Sequence, residues 1–201
     1  MHQSIRIYGI GILAAVLLAG VSWADEQGAK EEKDAKCIQA IEVFTGFQKA
    51  NLKDKGSYEA IPVIVDFDFD LKPLAAKFGI NPPMMLQFQL EPFISTVYSP
   101  DSNVEIGNSF MLKMGFVPDT WKVQPYIKVG VGLDYMTQHI HEQGTQFNFI
   151  ETGGMGAHFF INSDTALTLE GRYRHLSNCG IDDPNHGINT YFILVGTSHR
   201  F

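Results

Sequence analysis

Val123-Gln124-Pro125-Tyr126-Ile127-Lys128-Val129-Gly130-Val131-Gly132-Leu133-Asp134-Tyr135 has an apolar or ring side chain at every odd position and mostly Gln, Lys, Gly or Asp between them. Successive side chains of an extended chain point to opposite faces, so a period of two predicts a strand with one greasy and one polar side. A strand this long exceeds the usual five or six residues of soluble sheets. It does suffice for a bilayer, which takes about 9–11 tilted residues. The same alternation runs through Leu86–Tyr98, Ile61–Phe69 and Val104–Phe116.

Eight strands are predicted, near 41–48, 57–70, 84–98, 103–116, 123–136, 146–160, 165–176 and 187–201. Turn-rich pieces such as Ser99-Pro100-Asp101-Ser102, Pro118-Asp119 and Asn162-Ser163-Asp164 separate them. An even number of long strands with an apolar face predicts an all-β fold, an eight-stranded antiparallel transmembrane β-barrel over 41–201. An interior of that size is filled by its own side chains, so the barrel is expected to be plugged. The rival architecture is an exported soluble lipid-binding barrel, whose strands also alternate.

Residues 1–24 read as a signal peptide. Arg6 precedes an apolar run from Ile7 to Ser22, and Ser22 and Ala24 are the small residues of a cleavage site. Val21 stands where a lipoprotein signal would carry its acylated Cys. Residues 25–40 form a polar lead with no core to bury. The 201 residues carry 15 Lys and Arg against 22 Asp and Glu, a net charge of −7. With no clustered cations, nucleic acid is excluded as the main partner. Two cysteines, Cys37 and Cys179, cannot make a disulfide scaffold or a zinc site alone, and in a barrel they fall at opposite ends.

The chemistry is concentrated in Glu170-Gly171-Arg172-Tyr173-Arg174-His175-Leu176-Ser177-Asn178. The even positions Glu170, Arg172 and Arg174 cannot face lipid, where a mid-bilayer Arg costs about 2–4 kcal/mol. They are expected inside as an ion-paired plug, together with Asp66, Asp68, Asp70 and Lys128. It follows that His175 and Ser177 point outward at the loop end of the strand. At i and i+2 they stand on one face, roughly 6–7 Å apart at Cα. A serine hydroxyl becomes nucleophilic when a base takes its proton, and a neighbouring His serves as that base. As bare residues His-x-Ser is a weak signal; its outward parity at a membrane rim is what singles it out.

The stretch His175-Leu-Ser-Asn178, Gly180, Pro184-Asn185 and Gly187, followed by a last strand ending in Phe201, resembles the outer-membrane lipid A 3-O-deacylase family. The resemblance spans Ile41 to the end and is sharpest over 171–201. It implies a bacterial outer-membrane hydrolase whose serine-esterase site lies on the outer barrel wall and whose substrate is lipid A within lipopolysaccharide. It makes His175 the base and Ser177 the nucleophile, with Asn178, Gly180 and Asn185 shaping the oxyanion site. The family's pattern has a Glu fourteen residues after the His; here that position is Asn189. Strand pairing puts Asn189 opposite His175, and its carbonyl can accept the imidazole N–H without supplying charge. Glu151, expected opposite His175 from the other side, is the alternative orienter, unless a bulge turns it inward to Arg172 or Arg174. The second functional reading is a structural barrel of this family with impaired catalysis.

Gln138-His139-Ile140-His141-Glu142 lies in an outer loop; without a third spaced ligand it reads as a solvated loop, so no metal or cofactor is expected. Gly130-Val131-Gly132 and Gly153-Gly154-Met155-Gly156 precede no helix and are not phosphate loops. Glycines in barrel strands ease curvature. The expected partners are lipopolysaccharide and outer-membrane lipid, with a homodimer left open.

Overall fold

The computed structural model describes residues 38–53 and 56–201. The signal-peptide reading, most of the polar lead and Cys37 lie outside the described residues. Eight strands, β1 (Ala40–Asn51), β2 (Ser57–Asp70), β3 (Met84–Ser99), β4 (Asn103–Pro118), β5 (Val123–Met136), β6 (Phe147–Phe160), β7 (Thr165–Ser177) and β8 (Ile188–Arg200), close into one barrel. Each strand pairs antiparallel with its neighbours in sequence, and β8 returns to β1 with Ala40 opposite Arg200. Among the described residues there is one helix, α1 (Lys72–Ala76), in the β2–β3 connection. The alternation in the sequence does not signal it, because it is little more than a single turn.

Parity is kept around the cylinder. In β5 the even positions Gln124, Tyr126, Lys128 and Asp134 are buried, while Val123, Val129, Val131, Leu133 and Tyr135 are exposed. The exposed apolar residues form the lipid-facing wall. The buried charges form the plug: Lys128 Nζ lies 3.1 Å from Asp66, 3.0 Å from Glu91 and 3.2 Å from Glu170. Lys113 Nζ lies 2.7 Å from Glu42 and 3.1 Å from Asp68. Arg172 pairs with Glu91 and Glu170, and Arg174 with Glu105. Of the expected pairs, Asp66 with Lys128 is present, whereas Asp68 meets Lys113 and the two arginines meet glutamates instead of aspartates. Asp70 is not in the plug at all. It sits at the end of β2, where its carboxylate accepts the Lys72 N–H at 2.9 Å.

The hollow is not wholly polar. Ala50, Tyr58, Ala60, Val97, Met136, Ile140, Leu176 and Ile188 form a buried apolar layer at the ends of the strands beside the β5–β6 and β7–β8 loops. A second apolar cluster, including Phe44, Ile64, Phe93 and Phe192, lies deeper. A cavity of about 20 Å³ remains beside Glu91, Arg172 and Arg174, enough for about one water. The interior is therefore plugged.

Candidate active site

Strand β7 places His175 and Ser177 on the outer wall. Arg174, Leu176 and Asn178 are buried, whereas His175 and Ser177 between them are half-buried and Tyr173 is exposed. The ladders bring two further residues to His175: Glu151 on β6 and Asn189 on β8 are its direct cross-strand partners. Residues directly opposite one another hold their Cβ atoms about 4.5–5.5 Å apart, so the imidazole stands between a carboxylate and a carboxamide.

Asn189 makes the contact. His175 Nδ1 lies 2.6 Å from Asn189 Oδ1. With the carbonyl oxygen accepting from Nδ1–H, the proton is fixed on that nitrogen and Nε2 is left with its lone pair. The ring leans toward the β7–β8 loop, over Gly187. A Cβ built on Gly187 would stand 2.6 Å from Cε1 and 3.2 Å from Nε2 of His175. Gly187 also has φ +72, a conformation that suits glycine. Two independent constraints thus favour glycine there, and the vacant Cβ position is the seat of the imidazole. Glu151 stays on the outer wall, exposed, with no bulge in β6 to turn it toward Arg172 or Arg174. The Ser177 hydroxyl is not hydrogen-bonded within the described residues.

Residues 178–187 are folded by Asn178, which is fully buried. Its Nδ2 donates to the Asp182 carbonyl at 2.7 Å and the Pro184 carbonyl at 3.3 Å; its Oδ1 accepts the Gly180 N–H at 2.8 Å. Its backbone N–H donates to Asn185 Oδ1 at 3.0 Å. The three residues expected at the oxyanion site are therefore held together by one another, just beyond Ser177. Between them Cys179 has φ 54 and Gly180 φ 77, a left-handed pair that costs of order 1–3 kcal/mol at a non-glycine residue. Cys179 is exposed with a free thiol.

The β5–β6 loop buttresses this turn. Gly144 N–H donates to the Pro184 carbonyl at 2.6 Å, His186 N–H to the Glu142 carbonyl at 2.9 Å, and Gln143 forms an isolated bridge with Asn185. Glu142 and Gln143 are buried, so this part of the loop packs instead of standing in water. Among the described residues no group of three His, Cys, Asp or Glu is placed to hold a metal ion. The sequence reading missed Gly187 as a seat and the loop-to-loop bracing. Gly187 is visible only as a turn residue, and the bracing joins residues some forty positions apart.

One row toward the barrel's middle, the wall carries a Tyr173–Tyr191 ring pair, centroids 5.4 Å apart. Beside them Gly153, opposite Tyr173, and Gly171, opposite Met155 and Ile193, leave a dip. Added Cβ atoms there would meet nothing nearer than 3.9 Å and 4.0 Å. Neither glycine is there for close approach or positive φ; the dip is open wall.

A closed eight-stranded barrel with a greasy exterior defines the class: a bacterial outer-membrane barrel, here with an imidazole and a hydroxyl on its outer wall. The chain belongs to the lipid A 3-O-deacylase (PagL) family, whose model matches residues 67–198. Its fold is similar to the crystal structure of the outer membrane enzyme PagL, with TM-score 0.61 and 16% identity over 81% of this chain and 99% of that one. It is also similar to Neisserial surface protein A (NspA), with TM-score 0.57 and 15% identity over 81% and 96%. At such identities the structural likeness is one of fold. No curated protein matches the sequence. The residues of the site come from β6, β7 and β8, all within the matched span.

Proposed function

We propose that the protein is a serine esterase that hydrolyses the ester-linked 3-O-acyl chain of lipid A in the outer leaflet. The observation that carries this reading is the His175 Nδ1 contact with Asn189 Oδ1 at 2.6 Å on the lipid-facing wall, two residues from Ser177. A lipid acyl chain lying along the wall meets that side directly, and Ser177, at the loop end of β7, stays near the water that deacylation needs. The dip at Gly153 and Gly171, flanked by Tyr173, Met155 and Ile193, offers it a path.

Ser177 Oγ attacks the ester carbonyl carbon while His175 Nε2 takes its proton. The tetrahedral oxyanion collapses, the sugar oxygen leaves with the proton from His175, and the fatty acyl group remains on Ser177. Water then attacks the acyl-enzyme, again giving its proton to His175, and the fatty acid departs as Ser177 is restored. Asn189 holds the ring and its tautomer. Glu151, on the other flank, contributes the negative charge that Asn189 lacks and steadies the imidazolium. Asn178, Gly180 and Asn185 shape the oxyanion site by folding the turn that follows Ser177.

Purified protein in detergent is expected to release fatty acid from lipopolysaccharide, and Ser177→Ala is expected to release none. Full release by Ser177→Ala contradicts the proposal. The second reading, a family barrel without turnover, draws on the neutral Asn189; a folded wild-type protein that releases nothing from lipopolysaccharide would support it.

A further inference from the structure

The β2–β3 connection departs from the economy of the rest of the barrel. It lies at the end of the cylinder that holds Ala40 and Arg200, the ends of the first and last strands, where β4–β5 and β6–β7 are joined by residues 119–122 and 161–164 only. Turns on the periplasmic side of such barrels are short, yet this one runs from Leu71 to Pro83. It is also ordered. The Asp70 carboxylate accepts the Lys72 N–H, Pro73 opens α1, and the Phe78, Gly79 and Ile80 N–H groups donate back to Ala75, Ala76 and Ala75 carbonyls at 2.9, 3.0 and 3.1 Å. Gly79, with φ +77, ends the turn.

An ordered segment normally has something to pack on, but α1 buries no side chain. Leu74 is 53% exposed, Phe78 77% and Ile80 58%, and Phe78 exceeds even Ile193 on the lipid-facing wall at 71%. The segment's only charges are Lys72 and Lys77. Lys72 is tied to Asp119 of the next turn, which also presents exposed Trp121 and Lys122. The lipid-facing wall reaches the start of this connection: Phe69, two residues before Leu71, begins a row of rings with Phe88 and Phe110 at 6.1 and 6.4 Å.

We propose that residues 71–83 are a membrane foot that rests on the periplasmic leaflet, with Leu74, Phe78 and Ile80 in its interface and Lys77 and Lys122 toward anionic phospholipid headgroups. Its place directly after the end of the wall that meets lipid favours this occupant, as does a segment whose own charges, Lys72 and Lys77, are both positive. Three side chains are also far less than the roughly 800 Å² per partner of a stable protein interface. The proposal does not depend on the esterase reading.

The test is a full-length variant with Phe78→Trp, in which Trp23→Phe and Trp121→Phe leave a single indole, refolded into phosphatidylcholine vesicles with and without phosphatidylglycerol. Lipids brominated near the carboxyl end of the acyl chain are expected to quench this indole strongly, with blue-shifted emission. Phosphatidylglycerol is expected to raise the quenching about twofold, an increase abolished by Lys77→Gln with Lys122→Gln. Emission of a hydrated indole untouched by bromine would overturn the foot and leave a water-facing contact for a protein or a second copy. Quenching indifferent to phosphatidylglycerol would overturn the recognition of anionic headgroups.

Discussion

The two faces of β7 teach the main lesson. Inward, Glu170, Arg172 and Arg174 are buried and paired with charges from β3, β4 and β5; outward, Tyr173, His175 and Ser177 face lipid with one neutral hydrogen bond among them. One strand thus builds a charged plug and a sparsely bonded outer surface, separated only by the direction of alternate side chains. The plug is over-determined: Lys128 alone meets three carboxylates. The wall is under-determined, since the Ser177 hydroxyl awaits a partner. On the proposed function, rigidity inside leaves the outside open to a substrate within the membrane.

Substitutions should separate the faces. The largest effect on turnover is expected on the wall: Ser177→Ala or His175→Ala should lower fatty-acid release by at least about 10³-fold, with heat-modifiable gel mobility, which reports the closed barrel, unchanged. Inside the hollow, Lys128→Met should leave Asp66, Glu91 and Glu170 short of a cation and cost about 3–5 kcal/mol, the penalty for breaking a buried pair. Urea unfolding from micelles reads that loss, while the activity of the molecules still folded should change little. If Lys128→Met abolished turnover without lowering stability, the division of labour would be wrong.

Smaller effects sharpen the comparison. Gly187→Ala should push the imidazole off its seat and cut turnover about 10²-fold, the scale of a 1 Å misplacement, with mobility on gels retained. Asn189→Asp should raise turnover up to about tenfold by adding charge beside the imidazolium; the gain is bounded because the Asn carbonyl already fixes the tautomer, the chief loss when an Asp in a triad becomes Asn. Glu151→Gln should cost a few-fold, and more in an Asn189→Ala background if the two residues flank one imidazole.

Much of this was legible in the chain. The period of two located each of the eight strands to within about three residues, because a strand buried on one side must alternate. It also placed His175 and Ser177 outside, since Arg172 and Arg174 could not be there. Antiparallel arithmetic put Asn189 and Glu151 on either side of His175. What stayed hidden depends on contacts distant in sequence. Tyr58, Met136, Leu176 and Ile188 share the inward parity of the charged plug, but that they meet as one apolar layer is settled only when the cylinder closes. The exchange of partners in the plug depends on which side chains reach across the hollow, a distance that periodicity does not encode. Gly187 reveals its purpose only once the ring above it is in place.

Whether Ser177 cleaves lipid A is read by mass spectrometry of lipid A from cells that express this protein and from cells that express Ser177→Ala at equal level in the outer membrane. The wild-type cells should show lipid A lighter by one 3-linked hydroxyacyl chain, and the Ser177→Ala cells the full set of chains. Identical lipid A from both, with each barrel folded in the membrane, would contradict the account.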